Sequence, residues 1–344
     1  MNADAALHEV ISMLVRRGKG ILAADESQST IANRFKAVGV ESTEENRRAY
    51  RALLLTAPRV EEFISGVILF EETLDQATDD GIRLPQAIQR RGIVPGVKVD
   101  KGTIALSGAA GDVVTQGLDG LGERLKLYKS KGARFAKWRE VYLITDDNPT
   151  PLGLEVNAEV LARYAAICQE QGIVPIVEPE VLYDGNHTLQ RCAHVTEAVL
   201  QSVFHALIRH RIKLELLLLK PSMVLPGKNC PVNMDANEVA RETITTLRRS
   251  VPAAVPSIHF LSGGQTPQQA AANLNAMNVL FAHPPWNLSF SFARALQQPV
   301  LELWRGKHEN TAAAQRLFYL RAKIAGAACE GLYQPEMEAD ARQM

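Results

Sequence analysis

Leu216-Leu217-Leu218-Leu219 runs directly into Lys220 and Pro221. An apolar run this short reads as a strand buried on both faces, which puts its lysine at the rim of a core. Lysine is rarely buried without a partner or a chemical task. Burial disfavours the ammonium form, and a neutral amine is a nucleophile. Such an amine adds to a carbonyl to give a carbinolamine, and loss of water then gives an iminium ion. The iminium is an electron sink, through which a neighbouring carbon–carbon bond breaks or forms by way of an enamine. A lone lysine at a strand end can equally well escape to water, so the reading depends on its company.

Other β-like runs supply that company. Their ends read Asp25, Glu71, Lys98, Lys137 with Arg139, Glu178 with Glu180, Lys220, Ser262 and Ser291. Side chains two apart on a strand share a face, so Lys137 and Arg139 point together, as do Glu178 and Glu180. Lys137 is the candidate for lowering the amine pKa of Lys220 by like-charge repulsion. Glu178 or Glu180 could move protons during dehydration, and Asp25 could act as base toward a leaving hydroxyl. The eight histidines show no H-E-x-x-H or paired-ligand spacing. Neither a metal nor another cofactor is therefore expected.

Two segments read as phosphate grips. Ser262-Gly263-Gly264 offers a hydroxyl and glycine N–H groups that can approach an anion closely. Ser291 and Arg294 follow the next β-like run and lead into a helical segment whose N-terminus could face the same anion. A second grip could come from Ser27 and Arg34, after the first strand. Two separated grips suit a sugar carrying phosphate at both ends.

The elements that must carry these residues alternate along the chain. Strand candidates are Ile21–Ala24, Gly66–Phe70, Ile93–Val99, Arg134–Trp138, Ile173–Val177, Leu214–Leu219, Ile258–Leu261 and Leu288–Phe290. Helical patterns between them include Thr43–Leu55, Leu121–Ser130, Glu159–Gln171, Thr188–Arg211, Asp235–Arg249 and Pro267–Met277, after an amphipathic N-terminal stretch Ala5–Arg17. This alternation predicts an α/β fold, a single (β/α)8 TIM barrel with an N-terminal helix and a C-terminal helical extension. An open doubly wound sheet is the alternative, weakened by the lack of a G-x-G-x-x-G turn after the first strand. Residues 1–333 are expected to form the barrel domain and 334–344 a mobile tail.

In 344 residues, 38 basic side chains balance 38 acidic ones, which recommends neither nucleic acid nor an anionic membrane as partner. Four scattered cysteines without C-x-x-C spacing fit reduced thiols. With no secretory h-region and no membrane-length apolar stretch, a soluble cytoplasmic protein is expected.

Longer runs carry a family resemblance. They include Gly18-Lys19-Gly20-Ile21-Leu22-Ala23-Ala24-Asp25-Glu26-Ser27, Val97-Lys98-Val99-Asp100-Lys101-Gly102, Phe135-Ala136-Lys137-Trp138-Arg139, Val177-Glu178-Pro179-Glu180, Leu219-Lys220-Pro221 and Leu261-Ser262-Gly263-Gly264-Gln265. In these the chain resembles the class I fructose-1,6-bisphosphate aldolases, nearly throughout up to Tyr333. The resemblance implies a metal-independent lyase of glycolysis and gluconeogenesis, usually a homotetramer. It cleaves fructose 1,6-bisphosphate reversibly to dihydroxyacetone phosphate and glyceraldehyde 3-phosphate. It further implies that Lys220 is the Schiff-base lysine and Glu178 the general acid/base, with Asp25, Lys137 and Glu180 assisting. Ser262, Gly263, Gly264, Ser291 and Arg294 then resemble the C1-phosphate site, and Lys98, Arg139, Ser27 and Arg34 line the rest of the substrate path.

Departures from the family pattern accompany the match. Asn33 stands where a lysine often neighbours the arginine, Ser29 replaces a glycine, and Phe292-Ala293 replaces a Tyr-Gly pair. Met344 stands where eukaryotic-type members end in tyrosine. The missing cation beside Arg34 keeps open a broader sugar-phosphate aldolase acting on fructose 1-phosphate or sedoheptulose 1,7-bisphosphate. A non-catalytic barrel that binds phosphorylated ligands as a scaffold is the reading from another class.

Overall fold

The computed structural model describes residues 3–232, 235–281 and 284–342, so Met344 lies outside the described residues. Among the described residues ten strands occur in chain order: β1 (Gly20–Ala24), β2 (Ile64–Leu69), β3 (Val94–Lys98), β4 (Thr103–Ala105), β5 (Val113–Thr115), β6 (Phe135–Tyr142), β7 (Val174–Val181), β8 (Leu218–Leu219), β9 (Ser257–Phe260) and β10 (Asn287–Phe290). The helices are α1 (Ala3–Leu14), α2 (Gln28–Ala37), α3 (Glu44–Leu55), α4 (Leu84–Gln89), α5 (Leu121–Ser130), α6 (Pro151–Glu170), α7 (Leu189–Arg209), α8 (Ala236–Ser250), α9 (Pro267–Leu280), α10 (Arg294–Trp304), α11 (Thr311–Cys329) and α12 (Glu338–Arg342).

Eight strands pair in parallel in the order β1-β2-β3-β6-β7-β8-β9-β10. The sheet comes round on itself, because the Ala23 N–H donates to the Phe292 carbonyl at 3.0 Å. The architecture is the expected (β/α)8 barrel. All eight barrel strands overlap the apolar runs; five agree within two residues at each end and three differ more in extent. β6 and β7 continue to Tyr142 and Val181, so Lys137, Arg139, Glu178 and Glu180 lie within strands rather than at their ends. The apolar signal stops early there because the inward side chains turn polar while the backbone ladder goes on. Leu214–Leu216 winds as a 3-10 turn, leaving a two-residue β8. The antiparallel β4–β5 hairpin beside the mouth was not anticipated, since most of its residues are exposed and no apolar alternation marks it.

Packing separates into two layers. Inside the barrel, Ile21, Ala23, Ile68, Val94, Phe135, Val174, Ile176, Leu216 and Leu218 pack with Leu7, Ile11 and Leu14 of α1. The N-terminal helix therefore plugs the barrel floor. The opposite strand faces, including Leu217 and Leu219, pack against the surrounding helices. The four leucines are thus buried on both faces, which fixes where Lys220 emerges.

Helix starts follow the side-chain chemistry of the sequence. Thr43 caps α3, and Asp235 with Glu238 closes a reciprocal capping box on α8. Beyond Tyr333 the chain forms a 3-10 turn and α12, and Glu338 is buried in an ion pair with Arg321. Cys168, Cys192, Cys230 and Cys329 are all unpaired. Among the described residues no helix is long and apolar enough to cross a membrane.

Gly96 shows how tightly the floor is built: a Cβ there would lie 2.2 Å from the Phe135 ring. Gly96→Ala is expected to cost about 1–3 kcal/mol by overpacking. Thermal unfolding checks this, and adding Phe135→Leu should restore part of the lost stability. A Gly96→Ala protein that melts like the parent would show that the floor adapts.

Candidate active site

The barrel mouth opens into a cavity of about 1020 Å³. Asp25, Lys98, Lys137, Arg139, Glu178, Glu180 and Lys220 line its base. Ser27 and Arg34 line one side, and Ser262, Gly263, Ser291 and Arg294 another. Gly264 alone among the anticipated residues does not line the cavity; it is exposed, and a Cβ there would meet the Tyr183 ring at 2.9 Å and Arg294 at 3.7 Å.

At the base, four charges form a chain of contacts. Glu178 Oε1 meets Lys220 Nζ at 2.9 Å, and its Oε2 meets Lys137 Nζ at 2.9 Å. Lys137 Nζ also contacts Asp25 Oδ2 at 2.8 Å. Lys137 and Lys220 are each 3% exposed and Glu178 4%. Such burial is tolerable only because each charge has an opposite neighbour. Burial pushes the Asp25 and Glu178 carboxyls upward, but the ammonium groups of Lys137 and Lys220 outweigh it and hold both below their ordinary values. Burial likewise acts to lower Lys137, and Asp25 and Glu178 overcome it to raise its pKa. The anticipated direct repulsion between the two lysines is therefore interrupted by Glu178, which lies between them.

Two other cations are tied by neighbours. Arg139 pairs with Glu180 across the β6–β7 ladder. Lys98 Nζ contacts Asp100 Oδ1 at 2.5 Å and donates to its carbonyl at 3.0 Å. On the α2 side, Ser27 caps the helix and Arg34 pairs with the buried Glu26. Glu26 also holds Arg51 at 2.6 Å and accepts from Gln297 Nε2 at 2.9 Å.

The wall made by the two late loops offers free donors. Ser291 Oγ is buried without a hydrogen-bond partner. α10 starts at Arg294 with no side-chain cap, leaving its first N–H groups available. Ala293 has φ −106°, outside the positive-φ region that would demand a glycine. Among the described residues, no group of three or more His, Cys, Asp or Glu side chains is arranged to hold a metal ion.

Several buried polar residues around the site were not anticipated. Glu26 and Arg51 had a usable signal, since an arginine between Tyr50 and Leu53 on an otherwise apolar helix face needs a buried partner. His259 alternates with Ile258 on β9, faces the interior and bonds Ser257 Oγ at 3.0 Å. Burial, with the Lys220 charge adding to it, lowers its pKa to about 4, so the imidazole is neutral. Glu140 points out of the barrel, accepting from Trp138 Nε1 at 2.8 Å and from the Thr115 N–H of the hairpin at 3.1 Å.

The sequence pattern of the family described as "Fructose-bisphosphate aldolase class-I" matches residues 6–344. The chain belongs to the class I fructose-bisphosphate aldolase family. It is 52% identical to fructose-bisphosphate aldolase C of Homo sapiens over 329 residues, covering 95% of this chain and 90% of the human protein. Identity to fructose-bisphosphate aldolase C-B of Danio rerio is also 52%, over 328 residues, with the same coverage of 95% and 90%. The fructose-bisphosphate aldolase of Plasmodium falciparum, solved in a ternary co-crystal with TRAP and a small-molecule inhibitor, superposes with a TM-score of 0.95. That pair shares 46% identity and covers 97% of this chain and 96% of the other. The reaction is the aldolase cleavage of fructose 1,6-bisphosphate, a lyase reaction of glycolysis, and the class is metal-independent.

Glu140 gives this aldolase a pH-dependent stability. No cation among the described residues pairs with it, and burial pushes its carboxyl up to about 8 from an ordinary 4.5. Between those values the folded protein binds the proton that the unfolded chain has released, so stability falls as pH rises through this window. In Glu140→Gln that decline is absent. The melting temperature of the variant relative to the parent should therefore climb by several degrees between pH 5 and pH 9. A constant difference across the range would show that Glu140 is ionised throughout.

Proposed function

We propose that Lys220 is the Schiff-base nucleophile and that Glu178 moves protons on and off its nitrogen. The observation that carries this reading is the single carboxylate bridging Lys220 and Lys137 at the closed end of the cavity. Glu178 takes a proton from the Lys220 ammonium, and the amine adds to C2 of the open-chain sugar. Transfer of that proton to the carbinolamine hydroxyl releases water and leaves the iminium. The proton affinity of Glu178 changes at the right moment. Two ammonium groups hold it down at rest, and converting Lys220 to the amine removes one of them, so the carboxyl is better able to hold the proton it has received.

Asp25 is assigned as the base that accepts the C4 hydroxyl proton. The C3–C4 electron pair then flows to the iminium as glyceraldehyde 3-phosphate leaves, giving the enamine. Protonation at C3 and addition of water release dihydroxyacetone phosphate and restore Lys220. Lys137, paired with Asp25 and Glu178, keeps a positive charge beside both carboxylates throughout, and Glu180 orients Arg139 on the substrate path. Ser262, Gly263, Gly264, Ser291 and Arg294 are read as the C1-phosphate grip, supported by the unpartnered Ser291 hydroxyl and the uncapped helix start. Lys98, Ser27 and Arg34 line the path to the second phosphate. A homotetramer in the cytoplasm, and a barrel domain of residues 1–333, are carried over as part of the same reading from the family.

Borohydride added in the presence of dihydroxyacetone phosphate should fix one substrate fragment on Lys220, read by peptide mass spectrometry. An unmodified Lys220 peptide from active enzyme rejects the assignment. Glu178→Gln should lower kcat by roughly 10²–10⁴-fold.

The α2 side bears on substrate preference. Arg34 is already paired with Glu26, and Asn33 adds no charge, so the second phosphate meets a weakly cationic wall. The ratio of kcat/KM for fructose 1,6-bisphosphate over fructose 1-phosphate is expected to be small. Asn33→Lys should raise it by roughly tenfold, the worth of one charge-assisted contact, through the bisphosphate alone. An equal gain on both substrates would place the effect elsewhere.

A further inference from the structure

The turn after β9 is held from behind by an amide relay. Gln265, 7% exposed, donates to the Ser262 carbonyl twice, from its backbone N–H at 3.0 Å and from its side-chain Nε2 at 3.0 Å. The side-chain oxygen of Gln265 accepts in turn from Asn273 Nδ2 at 2.7 Å. Asn273 lies on the buried face of α9, 6% exposed, so the relay is anchored in a helix that begins with its own reciprocal capping box at Thr266 and Gln269. Met223 Sδ closes the remaining side of the Gln265 amide at 3.5 Å.

This arrangement determines where the turn points its donors. In a trans peptide the C=O and N–H lie on opposite sides of the plane. Two donors draw the Ser262 carbonyl into the protein interior, so the Gly263 N–H of the same peptide is turned the other way, toward the cavity that Ser262 and Gly263 line. Gly263 and Gly264 have φ of 49° and 87°, so the backbone there has few steric limits of its own. Without an external constraint such a turn samples many orientations, and ordering it would weaken every anion it binds.

We propose that Gln265, backed by Asn273, is a positioning residue that sets the phosphate affinity of the Ser262–Gly264 turn by locking the Ser262–Gly263 peptide. It touches neither substrate nor the reacting atoms. A glutamine suits the task because one side chain must accept from Asn273 and donate to Ser262 at once. Glutamate would lose the donor, and methionine both functions. The inference rests on the reading of this turn as a phosphate grip.

The test uses the full-length enzyme and three variants, with KM and kcat for fructose 1,6-bisphosphate and the inhibition constant of inorganic phosphate as readouts. Gln265→Met keeps the volume and removes the relay. It should raise KM and the phosphate inhibition constant together by roughly tenfold while kcat stays within about threefold. A purely structural role would lower the melting temperature and the active fraction without moving either constant, and that result overturns the proposal. Asn273→Ala frees only the back of the relay and should give a smaller rise in the same two constants. It serves as the deciding variant if Gln265→Met does not fold, and unchanged constants in it would reject the proposal. Ser262→Ala separates the two ideas. If it weakens phosphate while Gln265→Met does not, the grip stands and the positioning role falls. If neither affects phosphate, both fall.

Discussion

One carboxylate, Glu178, touching two ammonium groups at 2.9 Å each, is the contact on which the rest of the site depends. Two lysines a few ångströms apart in a buried setting repel strongly, and a lone buried carboxylate is no better tolerated. Placed in alternation, with Asp25 at the far end, the four groups balance. Balance requires that β1, β6, β7 and β8 deliver their side chains to one place, and the parallel register does this: Ile176 faces Leu218 across one ladder and Lys137 across the next. One residue of slip in any of these strands would turn its charged side chain outward into the helix layer. The same charges to which the chemistry is assigned above therefore also penalise the wrong register.

The barrel supports this cluster from below and leaves it open above. α1 and the Phe135 ring fill the floor, with Gly96 leaving room for the ring. The side chains two positions further along the same strands then reach the mouth: Lys98 above Gly96, Lys137 above Phe135, Glu178 above Ile176 and Lys220 above Leu218. The leucine run works as part of this floor. Its inward members, Leu216 and Leu218, pack with α1, and its outward members face the helices, so little freedom remains for the backbone that carries Lys220.

Much of this was legible in the residues because apolar runs and charged ends are local signals. Each barrel strand announced itself, and Lys220, Glu178, Lys137 and Asp25 were found as charges that follow apolar runs. What escaped was non-local. The full length of β6 and β7 could not be read because their mouth-facing halves are polar, and only the partner strand's charges make such halves tolerable. Leu214–Leu216 has strand composition and adopts a 3-10 turn, a choice that short apolar runs do not determine. Arg51 is buried on the apolar face of α3, and its partner Glu26 lies twenty-five positions earlier in the chain, a pairing that no local pattern names. Resemblance to a family supplied roles for individual side chains, but not the contacts that hold them.

The two late turns differ from the charged base of the cavity in how they are held, and the difference has a physical reason. Charges fix the base, whereas neutral amides fix the turns. Gln265 reaches the Ser262 carbonyl, and Gln297 of α10 reaches the carbonyl of Ala23 at 2.6 Å, the residue whose N–H donates to Phe292. A cation in either position would hold the backbone as firmly but would add attraction for a phosphate dianion that must also leave. An anion would repel it. An amide fixes the direction of a peptide dipole and contributes almost no net charge, so in the proposed grip affinity would be set by the geometry of the N–H and hydroxyl donors and by the one cation, Arg294. Gln297 extends the principle further, since its Nε2 also donates to Glu26, which pairs with Arg34 on the opposite wall. The two walls of the cavity are thereby joined through one buried side chain.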